Sequence, residues 1–383
     1  MIYLDNAATT FPKPPDVQQA VQQCAGCFGA NPGRGGYKLA ERAGETVFNV
    51  RRALADFFGG TVQHTVFCFN CTHAINLALK GTLKKGDHVI LSSMEHNAVL
   101  RPLERLRAQD GITYDILQVD PQHPQVTADR ARALIRPETR LLFVTHVSNV
   151  FGTVLPVRVL SGVAKQNGLL FGVDAAQSAG VFDLDLQKDG IDLLCMPGHK
   201  GLFGPMGTGA LLFSDRVQLQ PLLEGGTGTR SLEKTQPMQP PEGYESGTLN
   251  LPGIAGLGAG LRFICRYGGT AAVRAHEEAL IRTLREDLSV IRTIELYDSL
   301  RSDDAQTLLS FSFPHRTSEE IAAELDRCGF AVRAGYHCAA LAHTLHHASK
   351  DGTVRVSPSV FNTKKQIKNF AFCMNQIALR KIL

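Results

Sequence analysis

The chain has 383 residues, 44% of them hydrophobic and 20% charged. That balance excludes a disordered or fibrous protein, and the length exceeds what one hydrophobic core usually needs, so two domains are expected. Lys and Arg number 40 and Asp and Glu 36, a net charge of +4, too small at this size to predict a nucleic-acid or anionic-membrane partner. No run of about 18 uncharged apolar residues suggests a membrane span. The opening MIYLDNAATTFPKP lacks a basic segment followed by an apolar one, so it does not read as a secretory signal. Nine cysteines then read as cytosolic thiols rather than a disulfide frame, and a cytoplasmic location is expected.

From about residue 60 to 215, short apolar runs alternate with helical patterns. Strands are predicted at Val66–Phe69, His88–Ser92, Tyr114–Val119, Leu141–His146, Leu169–Asp174 and Leu193–Met196, with an antiparallel strand at Gly209–Ser214. Amphipathic stretches such as Val99–Ala108, Ala128–Ile135 and Val157–Gln166 lie between them. Such alternation predicts a mostly parallel sheet covered on both faces. Beyond residue 250 the pattern changes: a long helical region over Ile254–Val290, then strands at Ile294–Tyr297 and Thr307–Phe313. A capping box, Thr317 with Glu320, announces a helix. Short strands follow at Ala331–Arg333 and Val354–Val356, and a last helix starts at Thr363 and Gln366. Strands and helices without strict alternation suggest a smaller α+β domain. The Pro-rich stretch Thr235–Pro241 reads as a loop.

Several residues carry possible chemistry. Asp174 ends a buried parallel strand, where ligands of such sheets sit and where a lone carboxylate needs something positive to face it or a helix to cap. Lys200 follows another strand among glycines, in Met196-Pro197-Gly198-His199-Lys200-Gly201. Lysine forms Schiff bases, and glycines let backbone approach a phosphate, although a flexible surface loop reads the same way. In Phe67-Cys68-Phe69-Asn70-Cys71-Thr72 a strand turns into a helix whose start suits an anion, or is simply capped by Thr72. His96 follows the next strand as an acid–base group, a ring to stack on, or a structural histidine. Cys338 in Arg333-Ala334-Gly335-Tyr336-His337-Cys338 has surroundings that favour a thiolate. Arg355, on a short strand, suits a carboxylate or a structural ion pair. Cys24/Cys27 and Cys68/Cys71 share zinc-like spacing, but the second pair falls in the anion turn, where strand and helix-start positions explain it better. The glycines after Lys200 and those at Gly256, Gly258 and Gly260 do not form a dinucleotide fingerprint.

Taken in order, these motifs resemble the class V aminotransferases, and within them the cysteine desulfurase and selenocysteine lyase group. The resemblance spans the chain, from Tyr3-Leu4-Asp5-Asn6-Ala7-Ala8-Thr9-Thr10 through Asn31-Pro32-Gly33-Arg34, His146-Val147-Ser148-Asn149 and Gly198-His199-Lys200 to Arg355 and Phe361-Asn362-Thr363. It implies a fold type I enzyme dependent on pyridoxal 5'-phosphate. The large domain would span 15–255 with a mostly parallel seven-stranded sheet, and a smaller α+β C-terminal domain 256–383. Residues 1–14 would pack near the small domain and the active site, and the chain would form a homodimer.

The resemblance also implies roles. Lys200 would carry the cofactor covalently, Asp174 would pair with the pyridinium nitrogen, Gln177 would bond the ring hydroxyl and His96 would stack on the ring. Cys71, Thr72 and His199 would hold the phosphate, with Thr227 and Thr229 reaching it from the partner subunit. Asn149 would lie beside the cofactor and, with Arg355 and Asn6, take the substrate. L-cysteine would be the substrate, Lys200 and His96 would move protons, and Cys338 would attack the substrate sulfur and hold it as a persulfide for a protein acceptor. Pro197, His73 and Tyr37 depart from the family's usual residues at their positions. The related readings are selenocysteine lyase, another lyase, an epimerase or a true aminotransferase; a different class would be a non-catalytic sulfur-relay or zinc-binding module, although no metal is expected.

Overall fold

The computed structural model describes residues 1–32, 35–297 and 306–379, so Gly33 and Arg34 of the motif that starts at Asn31 lie outside the described residues. A two-residue strand, β1 (Ile2–Tyr3), precedes helices α1 (Pro15–Cys27) and α2 (Lys38–Phe57). Strands and helices then alternate: β2 (Thr65–Cys68), α3 (Cys71–Thr82), β3 (His88–Ser92), α4 (Asn97–Asp110), β4 (Thr113–Leu117), α5 (Pro124–Ala133), β5 (Thr139–Thr145), α6 (Val157–Gln166), β6 (Leu170–Asp174), β7 (Leu193–Pro197) and β8 (Gly209–Phe213).

Strands β2 to β8 form one seven-stranded sheet in the order β2-β8-β7-β6-β5-β3-β4. Only β8 runs against its neighbours, as expected for Gly209–Ser214. Every residue of β3, β6, β7 and β8 is buried, which a sheet sandwiched between helices requires. Alternate residues of β5 serve opposite faces, as the two-residue period of a strand dictates. Leu141 and Phe143 pack in the core with α3 and α4, and Leu142 and Val144 in the core with α2, α5 and α6.

The predicted long helix over 254–290 is two helices, α7 (Leu251–Tyr267) and α8 (Gly269–Ser289). Gly268 separates them with φ 111°, and its N–H bonds the carbonyls of Cys265 and Ile264. That left-handed stop is one glycine makes without a Cβ clash. The C-terminal part comprises β9 (Glu295–Leu296), β10 (Leu309–Ser312), α9 (Ser318–Arg327), β11 (Phe330–Ala331), β12 (Arg333–Gly335), α10 (Ala340–Leu345), β13 (Thr353–Val356) and α11 (Lys364–Leu379). Its antiparallel sheet has the order β12-β13-β10-β9. Both expected caps form: Glu320 N–H donates to Thr317 Oγ1 at 3.2 Å and Gln366 N–H to Thr363 Oγ1 at 3.3 Å.

The strand predicted at 331–333 divides between two sheets: β11 pairs with β1 and β12 with β13. Through that first pairing the N-terminus joins the C-terminal part. Ser357 N–H donates to the Leu4 carbonyl at 2.7 Å, and Asn6 N–H to the Ser357 carbonyl at 3.1 Å. The same segment then crosses to the large sheet, where Thr10 N–H donates to the His199 carbonyl at 3.1 Å.

Candidate active site

Strands β2, β3, β5, β6 and β7 all finish on one edge of the large sheet. The residues after them line one cleft of about 110 Å³, among them Cys71, His96, Asn149, Asp174, His199 and Lys200. Thr72 and Gln177 line it too. This is where an open parallel sheet builds a site, because the chain leaves every such strand in the same direction.

Asp174 is the last residue of β6 and is 3% exposed. Its Oδ1 accepts the Ala176 N–H at 2.8 Å and the Cys71 thiol at 3.4 Å. Burial, and then the Asp174 charge, push the Cys71 thiol well above its ordinary value, so it stays protonated and donates. Lys200, beyond β7, makes no side-chain hydrogen bond among the described residues. Burial first, then the Arg355 charge, lowers its pKa, against the opposing pull of Asp174. A lysine held this way is poised to act as a neutral amine.

The α3 start is capped by Asn70, not by Thr72: Asn70 Oδ1 accepts the His73 N–H at 2.9 Å. Asn70 precedes the helix in extended backbone, the geometry a cap needs, whereas Thr72 already lies inside the first turn. The N–H groups of Cys71 and Thr72 are left without partners among the described residues, as a helix start leaves them. Gly209 lets β8 pass that turn, because a Cβ there would meet the Asn70 backbone at 2.8 Å. His199 Nδ1 is buried without a partner, and burial, then Lys200 and Lys13, lowers this ring's pKa to about 4. Pro197 offers no hydroxyl beside it. His73, a departure from the family pattern, stacks on Phe69 with ring centres 4.8 Å apart.

His96 caps α4, its Nδ1 accepting the Ala98 N–H at 3.0 Å. The proton of the neutral ring therefore sits on Nε2. Burial lowers its pKa, with Asp174 opposing. Gln177 Nε2 donates to the Ala7 carbonyl at 3.0 Å.

Arg355, 2% exposed, adjoins the cleft behind Asn149. It donates to the Asn149 carbonyl and to Asp5 Oδ1, each at 2.8 Å. Asn149 Nδ2 donates to the His337 carbonyl at 2.7 Å. Asn6 donates to the Ser357 carbonyl at 2.9 Å and accepts the Phe11 N–H at 3.2 Å, so its amide braces the N-terminal segment.

Cys338 is exposed, in a turn where it and His337 both take left-handed backbone, φ 57° and 50°. Non-glycine residues pay roughly 1–3 kcal/mol each for such strain. The His337 ring does not supply the positive charge expected beside the cysteine. It turns to Thr353, 2.9 Å from Oγ1, and burial, helped by the Arg355 charge, lowers its pKa to about 2. Sequence neighbours on such a turn need not share a side of the backbone.

Thr227 and Thr229 stand apart from these residues. Within one chain their loop lines a different cavity, with Asn31, Phe48, Arg51 and Glu245. Two residues beside the cleft, Asp5 and Lys13, are given no role by the sequence, and Arg333 reads there only as a neighbour of Cys338. Asp5 and Lys13, whose Nζ donates to the His199 carbonyl at 2.6 Å, lie in the opening motif but act on partners far along the chain. Arg333 lowers the pKa values of Lys200, His96 and His337 by its charge; its signal was its place in the Cys338 motif. Among the described residues no three His, Cys, Asp or Glu side chains are grouped to hold a metal ion, and no helix is long and apolar enough to cross a membrane.

A lysine beyond one central strand, a buried carboxylate ending the next and a small C-terminal sheet bonded to the cleft through Asn149 define a fold type I α/β enzyme. The chain belongs to the class-V aminotransferase family, whose model matches residues 2–370. It is 35% identical over 385 residues to a probable cysteine desulfurase of Methanothermobacter thermautotrophicus, covering 98% of this chain and 94% of that protein. The apo structure of a cysteine desulfurase from Thermococcus onnurineus superposes with a TM-score of 0.90 at 31% identity, covering 98% of this chain and 94% of the other. A cysteine desulfurase structure from Escherichia coli superposes with a TM-score of 0.88 at 28% identity, over 99% of this chain and 94% of the other.

Proposed function

We propose that this protein is a cysteine desulfurase dependent on pyridoxal 5'-phosphate, converting L-cysteine to L-alanine and retaining the sulfur on Cys338. The observation that carries the reading is the tethering of the Cys338 turn to the Lys200 cleft. The His337 carbonyl is held by Asn149, and the Cys338 carbonyl by the N–H of Asn97, at 2.7 and 2.8 Å.

The residues present fit that cofactor. The second oxygen of Asp174 and the Lys200 amine are uncommitted among the described residues. Unpaired N–H groups at the α3 start and the orphaned Nδ1 of His199 supply donors for a phosphate. Lys200 is assigned to the covalent link, Asp174 to the ring nitrogen, Gln177 to the ring hydroxyl and His96 to the ring face. Cys71, Thr72 and His199 are assigned to the phosphate, and Arg355 and Asn149, with Asn6 bracing the wall, to the substrate carboxylate. When bound, the cofactor supplies a sink for the electron pair released at Cα.

Lys200, favoured as a neutral amine by burial, takes the Cα proton. The Cys338 thiolate attacks the substrate Sγ, so an S–S bond forms as the Cβ–Sγ bond breaks. The electron pair of that bond stays with the carbon skeleton, which takes up protons from Lys200 and His96 Nε2. In total L-cysteine and the Cys338 thiol give L-alanine and a Cys338 persulfide, with no outside oxidant. Exposure of Cys338 lets an acceptor thiol collect the sulfur by exchange, in a reducing compartment such as the cytoplasm. We further propose a homodimer, in which the Thr227–Thr229 loop, remote from its own cleft, serves the phosphate of the neighbouring subunit.

Incubation with L-cysteine should yield equal alanine and, with a thiol reductant, sulfide. Cys338→Ala should lose both products while keeping the yellow cofactor absorbance. Full turnover by that variant, or pyruvate and ammonia in place of alanine, would overturn the assignment.

A further inference from the structure

The Arg355 guanidinium has five N–H donors. Two are committed inside the protein, one to Asp5 Oδ1 and one to the Asn149 carbonyl, both at 2.8 Å. Its Nε is buried and has no partner among the described residues. An unpaired buried N–H is costly to keep. Here it leaves Nε–H and the remaining Nη protons to a second acceptor, and a carboxylate taking two of them is the strong, geometrically specific arrangement.

Arg355 does not hold this position alone. Burial disfavours its charge most and the nearby Arg333 repels it, so its pKa stays lowered even though the Asp5 carboxylate offsets part of both. Asp5 is itself fixed in place. It bridges to Ser357, and its carbonyl accepts the Ala8 N–H and the Tyr3 hydroxyl, each at 3.1 Å. Its half-buried carboxylate thus stands on a fixed stretch of main chain beside a buried cation.

We propose that Asp5 is a positioning residue for the α-carboxylate of the substrate, acting through Arg355: it grips one side of the guanidinium and presents the rest to the amino acid. This rests on the assignment of Arg355 to that carboxylate. Asp5 touches no reacting atom, so its effect belongs in carboxylate binding and not in the sulfur-transfer step.

The test uses the full-length holoenzyme, with L-cysteine as substrate and two competitors. L-alanine carries the α-carboxylate; cysteamine lacks it. Asp5→Ala should raise KM for L-cysteine and Ki for L-alanine about tenfold, with kcat and the Ki of cysteamine within about twofold. Asp5→Asn keeps an acceptor oxygen in the same place and should recover part of the loss. Should Asp5→Ala fail to fold, Asp5→Asn alone decides: a rise of about threefold in KM, without a change for cysteamine, supports the proposal. An unchanged KM, a lowered KM, or equal shifts for L-cysteine and cysteamine would overturn it. Arg355→Ala separates this proposal from its premise. If that variant leaves KM unchanged, the carboxylate assignment itself fails; if it raises KM while the Asp5 variants do not, only the role of Asp5 fails.

Discussion

The backbone N–H of Asn97 donates to the Cys338 carbonyl at 2.8 Å, joining the first residue of α4 to the exposed cysteine turn of the C-terminal part. The adjoining His337 carbonyl is held in the same way by Asn149. Two strained residues are thus restrained by two asparagines of the large-sheet part, one through its main chain and one through its side chain.

Proline at position 97 isolates that restraint. Asn97 is the first helical residue, where proline is tolerated, and His96 before it has the extended backbone that a following proline requires. Asn97→Pro should fold with unchanged helix content and cofactor absorbance, yet lower alanine production about tenfold as the turn loosens. Wild-type turnover would show the bond to be idle.

Position 96 combines a cap with a ring. His96→Asn keeps a side-chain acceptor for the Ala98 N–H, so stability should hold. Loss of the Nε2 proton donor should still lower kcat, by about a hundredfold. His96→Ala should add about 1 kcal/mol of destabilisation from the lost cap, read from urea unfolding.

Arg51 and Glu245 form a buried two-pronged pair at 2.5 and 2.9 Å, and Glu245 also accepts the Phe67 N–H at 2.6 Å. Removing one partner strands the other's charge, so Glu245→Ala should cost about 3–5 kcal/mol. Arg266→Ala breaks an exposed pair with Asp16 and should cost no more than about 0.5 kcal/mol. Similar unfolding midpoints for the two variants would contradict this ranking.

Acidity should weaken the fold through His146, whose burial lowers its pKa to about 4. Unfolded, the ring titrates near 6.5, so between these values the unfolded chain binds the extra proton. The stabilisation is complete above about pH 6.5 and is lost as pH falls toward 4. Between pH 7 and 5 this one residue should remove about 2 kcal/mol. In His146→Gln the denaturant midpoint should vary correspondingly less with pH, and an unchanged slope would count against the assignment.

The large sheet is legible in the sequence because its strands are short, nearly uninterrupted apolar runs separated by helical patterns. Helix α1 is not, because it buries only Val17 and Cys24 and so shows a weak apolar period. Helix α2 does carry its inner stripe at helical spacing, in Ala40, Ala43, Val47, Val50 and Leu54, but it precedes the alternating strands and helices on which the fold expectation rests. Residues that follow strand ends, such as Asp174, Lys200 and His96, can be picked out locally. The link between Asp5 and Arg355, the turning of His337 away from Cys338, and the use of Asn70 as the cap depend on backbone direction and on contacts across the chain, which residue spacing does not encode.

The opening segment bears on how the protein is made. Leu4 to Asn6 bond to Ser357, and Thr10 and Lys13 to the His199 carbonyl, so this segment is stitched to residues as many as 353 positions further along. The pocket therefore cannot be finished on a nascent chain still lacking β13, and closing so long a loop is a late, entropically costly step of assembly.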